Sequence, residues 1–152
     1  MKKIILSFIF IVLAVLAGWF SAAGFNNFNE KSRPEVCIAE NCYKVELAVT
    51  VPEQEKGLMF RKNLDKGKGM LFKFPQKGIY PFWMKNTLIP LDIVWIGSDN
   101  KIVFISRDTR PCVSDPCHTT NPGETAHYVL EVNSGEMDRI GAKVGDVVVI
   151  NH

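Results

Sequence analysis

The chain has 152 residues, the length of one domain. Its 18 basic side chains exceed its 16 acidic ones by Lys2 and Lys3 alone, so the rest of the chain is balanced and lacks the basic footprint of a nucleic-acid binder. Hydrophobic residues at 47% and charged residues at 22% exclude disordered and fibrous classes.

Lys2-Lys3 is followed by Ile4 to Ala17, apolar except for Ser7, and then by small residues at Ser21 and Ala23. This is the pattern of a secretory signal peptide cut after Ala23. An uncleaved membrane anchor is the rival, since no charge occurs between Lys3 and Glu30. In both readings the lysines stay cytoplasmic and the body is exported. A lipoprotein is disfavoured because Trp19 follows Leu16-Ala17-Gly18 where a lipid-bearing cysteine would be needed. The expected organisation is a signal or anchor over residues 1–25, a polar linker over 26–34 and a single domain over 35–151.

Past Glu35, apolar residues alternate or come in short runs bounded by Gly, Pro, Asn and Asp, as in strands. The predicted strands are Glu35–Ile38, Tyr43–Val49, Gly69–Phe74, Phe82–Thr87, Leu91–Ile96, Lys101–Ser106, His127–Val132 and Asp146–Ile150. Ser98-Asp99-Asn100 reads as a hairpin turn. One short helix is predicted from Pro52, with Glu53 and Glu55 in its first turn, to about Arg61, with Val51, Leu58 and Met59 facing the core. A second runs from Ser134 as cap to Gly141. Gly141 to Asp146 is a turn and not a phosphate loop, because it lacks the strand-before, helix-after context. With no β-α-β alternation, a parallel sheet is not expected. The predicted fold class is mainly β: an antiparallel β-sandwich or partly closed barrel with two short helices.

The cysteines fall in two local pairs, and an oxidising compartment favours the disulfides Cys37–Cys42 and Cys112–Cys117. A metal site from Cys112, Cys117, His118 and His127 competes, at a loose spacing for zinc. A redox-active dithiol would more usually be C-x-x-C. Met59, Met70 and Met84 sit inside apolar runs, which favours packing over a copper site. No cofactor is implied.

Several blocks stand out along the body: Gly57-Leu58-Met59-Phe60-Arg61, Gly69-Met70-Leu71-Phe72, Phe82-Trp83-Met84-Lys85-Asn86-Thr87, Ile89-Pro90-Leu91-Asp92, Leu130-Glu131-Val132 and Gly145-Asp146. Together they resemble the DUF192 (UPF0127) family over roughly Glu35 to Ile150. The resemblance implies a mainly β fold and frequent export, and it supplies no reaction.

Strand parity puts Asp92 on a face with Val94 and Ile96, and Glu131 on a face with His127 and Val129. A buried carboxylate needs a partner, and Arg61 and Lys85 are the natural cations. The expected site is a polar cluster of Arg61, Lys85, Asn86, Asp92 and Glu131 beside Trp83, suited to a small polar ligand such as a sugar or peptide. Two alternatives stand beside it: a small acid/base hydrolase using Asp92 or Glu131, and a structural domain that docks on an envelope protein. A purely structural reading also remains, in which Asn86 and Asp92 tie down the Thr87–Pro90 crossover.

Overall fold

The computed structural model describes residues 34–151; the segment expected over residues 1–25 and the linker as far as Arg33 lie outside them. Strands β1 (Glu35–Ile38) and β2 (Asn41–Ala48) form a hairpin turned by Ala39, whose φ is 51°. Cys37 sits directly across from Cys42 in its ladder, and the two are disulfide-bonded.

Helix α1 (Val51–Lys56) follows. The Thr50 hydroxyl accepts from the Glu53 backbone, and the Glu53 carboxylate accepts from the Thr50 N–H at 2.9 Å, a reciprocal cap that starts the helix firmly. It ends earlier than the Arg61 expected, because Gly57 turns the chain with φ 47°. Of the three residues expected to face the core, only Leu58 is buried; it lies beyond the helix, while Val51 is 65% exposed.

The remaining elements are β3 (Lys68–Gly78), β4 (Phe82–Trp83), β5 (Leu91–Ile96), β6 (Ile102–Thr109), β7 (Thr119–Thr120), β8 (Ala126–Asn133), α2 (Glu136–Arg139) and β9 (Val148–Asn151). Seven strands make one sheet in the order β6-β5-β8-β3-β2-β1-β9, and β4 pairs with β7 in a small second sheet. The expected strand Phe82–Thr87 is cut short after Trp83, and Asn86 adopts φ 54°. The second helix is capped by Gly135 rather than by Ser134, whose hydroxyl turns instead to the Asp108 carboxylate at 2.7 Å.

The sheet is not wholly antiparallel, contrary to the expectation from sequence. β2 and β3 run parallel, with Glu46 opposite Met70 and Ala48 opposite Phe72. The chain between them, Val49 to Gly67, is long enough for the crossover that a parallel pair requires, and α1 occupies its start. The sheet curls strongly: the Ile102 N–H donates to the Asp146 carbonyl at 3.0 Å, and the Gly145 N–H to the Ile102 carbonyl at 2.8 Å. The two edge strands therefore meet at one end, a half-barrel of the partly closed kind predicted.

Both faces are covered, which explains why all six residues of β5 are buried. The inner face carries side chains from all seven strands, among them Val36, Tyr43, Leu71, Val94, Ile102, Leu130 and Val148, and Met137 of α2 packs with them. The outer face carries Met70, Phe72, Ile93, Trp95 and Val129, roofed by Leu58, Phe82 and Met84 from the long connections. At the β3–β8 pairing a Cβ on Gly69 would lie 2.6 Å from the Glu131 carbonyl oxygen, so glycine is required there for the strands to close.

Candidate functional site: a buried carboxyl beneath an aromatic cleft

The outer face holds a cleft of about 260 Å³. Its floor is β3 and β8 with Phe72, Phe74 and Glu131. One wall is α1 and the following turn, and the other is Tyr80 to Trp83 with Thr87. Phe74 and Tyr80 stack with centroids 3.5 Å apart, Phe72 meets Phe82 edge-on at 4.9 Å, and Phe82 meets Trp95 at 5.6 Å. These contacts hold the aromatic wall rigid. Gln54 anchors α1 to the floor through a 2.9 Å bond to the Lys73 carbonyl, and Trp95 donates to the Tyr80 carbonyl at 2.7 Å.

Glu131 is the polar group at the base. It is only 5% exposed, and its Oε2 has no hydrogen-bond partner. Burial pushes its carboxyl up to about 8, with the charge of Arg61 pulling the other way. It is therefore mostly protonated at neutral pH. Across the sheet it lies in a row with Ile93 on β5, Met70 on β3 and Glu46 on β2. Arg61 comes close enough to bias it, but gives its hydrogen bonds to Glu46, at 2.6 and 2.7 Å. That bidentate bond holds Glu46 below the ordinary carboxylate range and Arg61 above its own.

The six residues expected to form one cluster do not come together. Trp83 and Glu131 line the cleft. Lys85 lies over the Trp83 ring at 5.4 Å and pairs with Asp115 at 3.0 Å. Asn86 serves through its backbone: its N–H donates to the Cys112 carbonyl, and its carbonyl accepts from Phe60. Asp92 is on the opposite face. The register that places Ile93 beside Glu131 turns Asp92 inward, where it is fully buried. There its carboxylate accepts from the Asp108 N–H at 2.9 Å and the Met137 N–H at 2.8 Å. It thus ties the end of β6 to the start of α2, and not the Thr87–Pro90 crossover. The aromatic residues Phe72, Phe74, Tyr80 and Phe82 carry no sequence signal beyond that of core packing. The residue that could have marked them is Glu131 itself, an acid on an apolar face with no committed cation.

The second disulfide, Cys112–Cys117, holds the loop that supports this rim. The Cys112 backbone donates to the Met84 carbonyl and accepts from the Asn86 N–H, and β7 just beyond Cys117 pairs Thr119 with Trp83. With their sulfurs joined, these cysteines offer no thiolate to the four-residue metal set considered above. Two disulfides suggest folding in an oxidising, extracytoplasmic environment. Among the described residues no helix is long and apolar enough to cross a membrane.

The described residues form a mainly β domain: a strongly curled half-barrel sheet with one parallel pair, beside a small second sheet. The chain belongs to the DUF192 family, described as "Uncharacterized ACR, COG1430", whose model matches residues 35–150. Among solved structures it is similar to a Sinorhizobium meliloti 1021 protein that carries a provisional description as a transcription regulator. That likeness has 36% identity and a TM-score of 0.68, over 78% of this chain and 92% of the other. It is also similar to a protein of unknown function from Novosphingobium aromaticivorans DSM 12444, at 33% identity and TM-score 0.70, over 85% of this chain and 94% of that one. No functionally curated protein matches the chain.

Proposed function

We propose that this is an exported domain that binds a small polar ligand, a sugar or a short peptide, in the cleft above Glu131. The observation that carries the reading is a buried carboxyl oxygen left without a partner at the base of a rigid aromatic cleft. A buried polar atom with no partner is destabilising by about 1–3 kcal/mol, and such groups are retained mainly where they serve a site. Aromatic walls with a single directional polar group are the usual make-up of a small-molecule pocket. Export is supported by the two disulfides and by the sequence of residues 1–25; the membrane becomes a partner through that segment where it stays uncut. The balanced charge of the body favours a partner other than nucleic acid, the provisional description of the Sinorhizobium protein notwithstanding.

A hydrolase is the second reading, favoured by the raised value of Glu131, which suits a general acid. Asp92 is a poor candidate for its second carboxyl, being on the other face; Glu55, which lines the cleft, is the better one. The test is a panel of mono- and oligosaccharides and short peptides added to the isotope-labelled protein. Amide shifts confined to Gly57–Met59, Phe82–Trp83 and Glu131 are expected for a binder. Shifts elsewhere, or none across the panel, refute the ligand reading. Products appearing with any panel member, and disappearing in Glu131→Gln, would favour the hydrolase.

A further inference from the structure

The chemistry of the cleft goes further than its shape. We infer that the group recognised at its base is an organic cation, an alkylammonium of the kind borne by a lysine side chain or a simple amine, seated between the aromatic wall and the Glu131 carboxylate. This rests on the ligand-binding reading above and narrows it to one charge class.

Four observations converge. First, Glu131 is an acid at the end of a cleft with no donor on its Oε2, and nothing in its sheet row answers it, since Ile93 and Met70 flank it. Second, the protein's nearby cations are committed elsewhere. Arg61 holds Glu46 through two bonds, and Lys85 holds Asp115. Glu55 and Lys56, both exposed on the rim, carry one charge of each sign and offset each other at long range. Third, the walls present π faces, which attract cations. Trp83 already holds the Lys85 ammonium at 5.4 Å, so the rim binds this kind of group within the chain itself. Fourth, the space is kept open. A Cβ on Gly57 would lie 3.8 Å from Glu131 Oε2 and 3.2 Å from Phe72 Cζ, so a side chain there would close the way to the carboxyl. A neutral hydroxyl or carbonyl ligand would use one hydrogen bond of a protonated acid and would leave the walls' preference for positive charge unused.

Binding then has a proton balance. The empty site holds Glu131 protonated at neutral pH, and the arriving ammonium stabilises the carboxylate. One proton leaves to the buffer, and the ion pair Glu131–COO⁻ with R–NH₃⁺ remains. The groups facing Glu131 are few: Arg61 and Glu46 along the sheet, Glu55 and Lys56 from α1, Lys68 at the start of β3, which is paired with Asp65 at 2.7 Å, and His127 four residues away on β8, outside the cleft lining; Met70, Phe72 and Phe74 of β3 and the β5 side chains on that face are apolar. Glutamate, lysine and arginine side chains do not ordinarily exchange protons near neutrality, and loss of the proton release in Glu131→Gln distinguishes Glu131 from His127 as its source.

The experiment is isothermal titration of the full-length protein at pH 7 with N-acetyl-lysine N-methylamide and with pentylamine. Their neutral matches are N-acetyl-norleucine N-methylamide and 1-pentanol. Each titration is repeated in two buffers of different ionisation enthalpy. The cations should bind at least about tenfold more tightly than their matches. Their heats should depend on the buffer in proportion to release of about one proton, and the neutral matches should show no such dependence. Glu131→Gln should abolish both the preference and the proton release. Tighter binding of the lysine derivative than of pentylamine assigns the cation to a peptide; equal binding assigns it to a free amine. Equal affinity for cations and neutral matches, or binding without proton release, overturns the cation inference and leaves the ligand reading standing if the same amides shift. Absence of any binding by all four probes overturns the inference too, and the saccharide and peptide panel then decides the broader reading separately.

Discussion

Replacing Glu131 with glutamine should make the protein more stable at neutral pH, and the size of the gain should depend on pH. A carboxyl whose folded value lies above its unfolded one favours the fold only while both states hold the proton. Glu131 is pushed from an ordinary 4.5 up to about 8. Above about pH 4.5 the unfolded chain releases this proton while the folded chain keeps it, so stability declines with rising pH until the folded carboxyl also ionises near pH 8. At about 1.4 kcal/mol per pH unit of separation, the loss across that window is roughly 3–5 kcal/mol. A glutamine amide cannot ionise, so the Glu131→Gln protein should escape that loss. The carboxylates held low by partners, such as Glu46 with Arg61 and Glu136 with Arg139 and Tyr43, work in the opposite sense. Their contribution is complete above the ordinary carboxylate range and fades only in acid, so it does not mask the Glu131 window. The assay is urea unfolding of both proteins at intervals from about pH 4.5 to about pH 8.5. The curves should nearly coincide at the acid end and diverge steadily, with the glutamine variant ahead, up to about pH 8. A constant difference, or a less stable variant at the alkaline end, would show that Glu131 is ionised and satisfied in the fold, and the reasoning from its burial would fail.

Asp92→Asn should remove one of two accepted backbone bonds and set an amide N–H₂ against an N–H donor; a loss of about 1–3 kcal/mol and several degrees in Tm is expected by thermal scanning. An unchanged Tm would contradict the anchoring role of Asp92. Gly69→Ala should destabilise by at least about 2 kcal/mol in urea, because its Cβ meets a carbonyl oxygen at 2.6 Å. Gly123→Ala, which meets nothing within 4 Å and bears only its φ of 70°, should lose about 1 kcal/mol; equal losses would refute the close-approach argument. Thiol labelling of the protein folded under oxidising conditions, without reductant, should modify no cysteine, and Cys112→Ser with Cys117→Ser should lower stability by about 2 kcal/mol and broaden the amide signals of Trp83 and Lys85. Free labelling at Cys112 would remove the disulfide from the account.

The strand content, the hairpin closed by Cys37–Cys42 and the turn at Asn100 are legible in the sequence because each is local: alternation, a cysteine spacing, a turn residue. The parallel pairing of β2 and β3 is not. Its only trace is a crossover whose helix spans Val51–Lys56, too short to register as a β-α-β unit. Val51 departs from expectation for a related reason. Helical periodicity assigns it to a buried face, yet α1 lies on the rim of the cleft and buries none of its own residues. The core contact comes from Leu58, after the Gly57 turn has redirected the chain.

For the site, parity places Asp92 and Glu131 each on its proper strand face, but parity alone does not set the two strands in register. A sheet buried on both sides gives two acids two separate interiors. One, Asp92, finds two backbone N–H groups and becomes a joint between β6 and α2. The other finds none, because the cation nearest to it is taken by Glu46. That exposed acid, two strands away in the same row, is invisible to any argument that seeks partners only for buried charges. The pairing of Arg61 with the exposed carboxylate rather than the buried one leaves Glu131 open to something from outside the chain. A Glu46→Gln variant tests this arrangement directly. Freed of its partner, Arg61 should turn towards Glu131, lower its pKa and reduce ligand ammonium binding by about tenfold or more, while neutral probes are unaffected. Unchanged ammonium affinity in that variant would mean that Arg61 does not compete for the site.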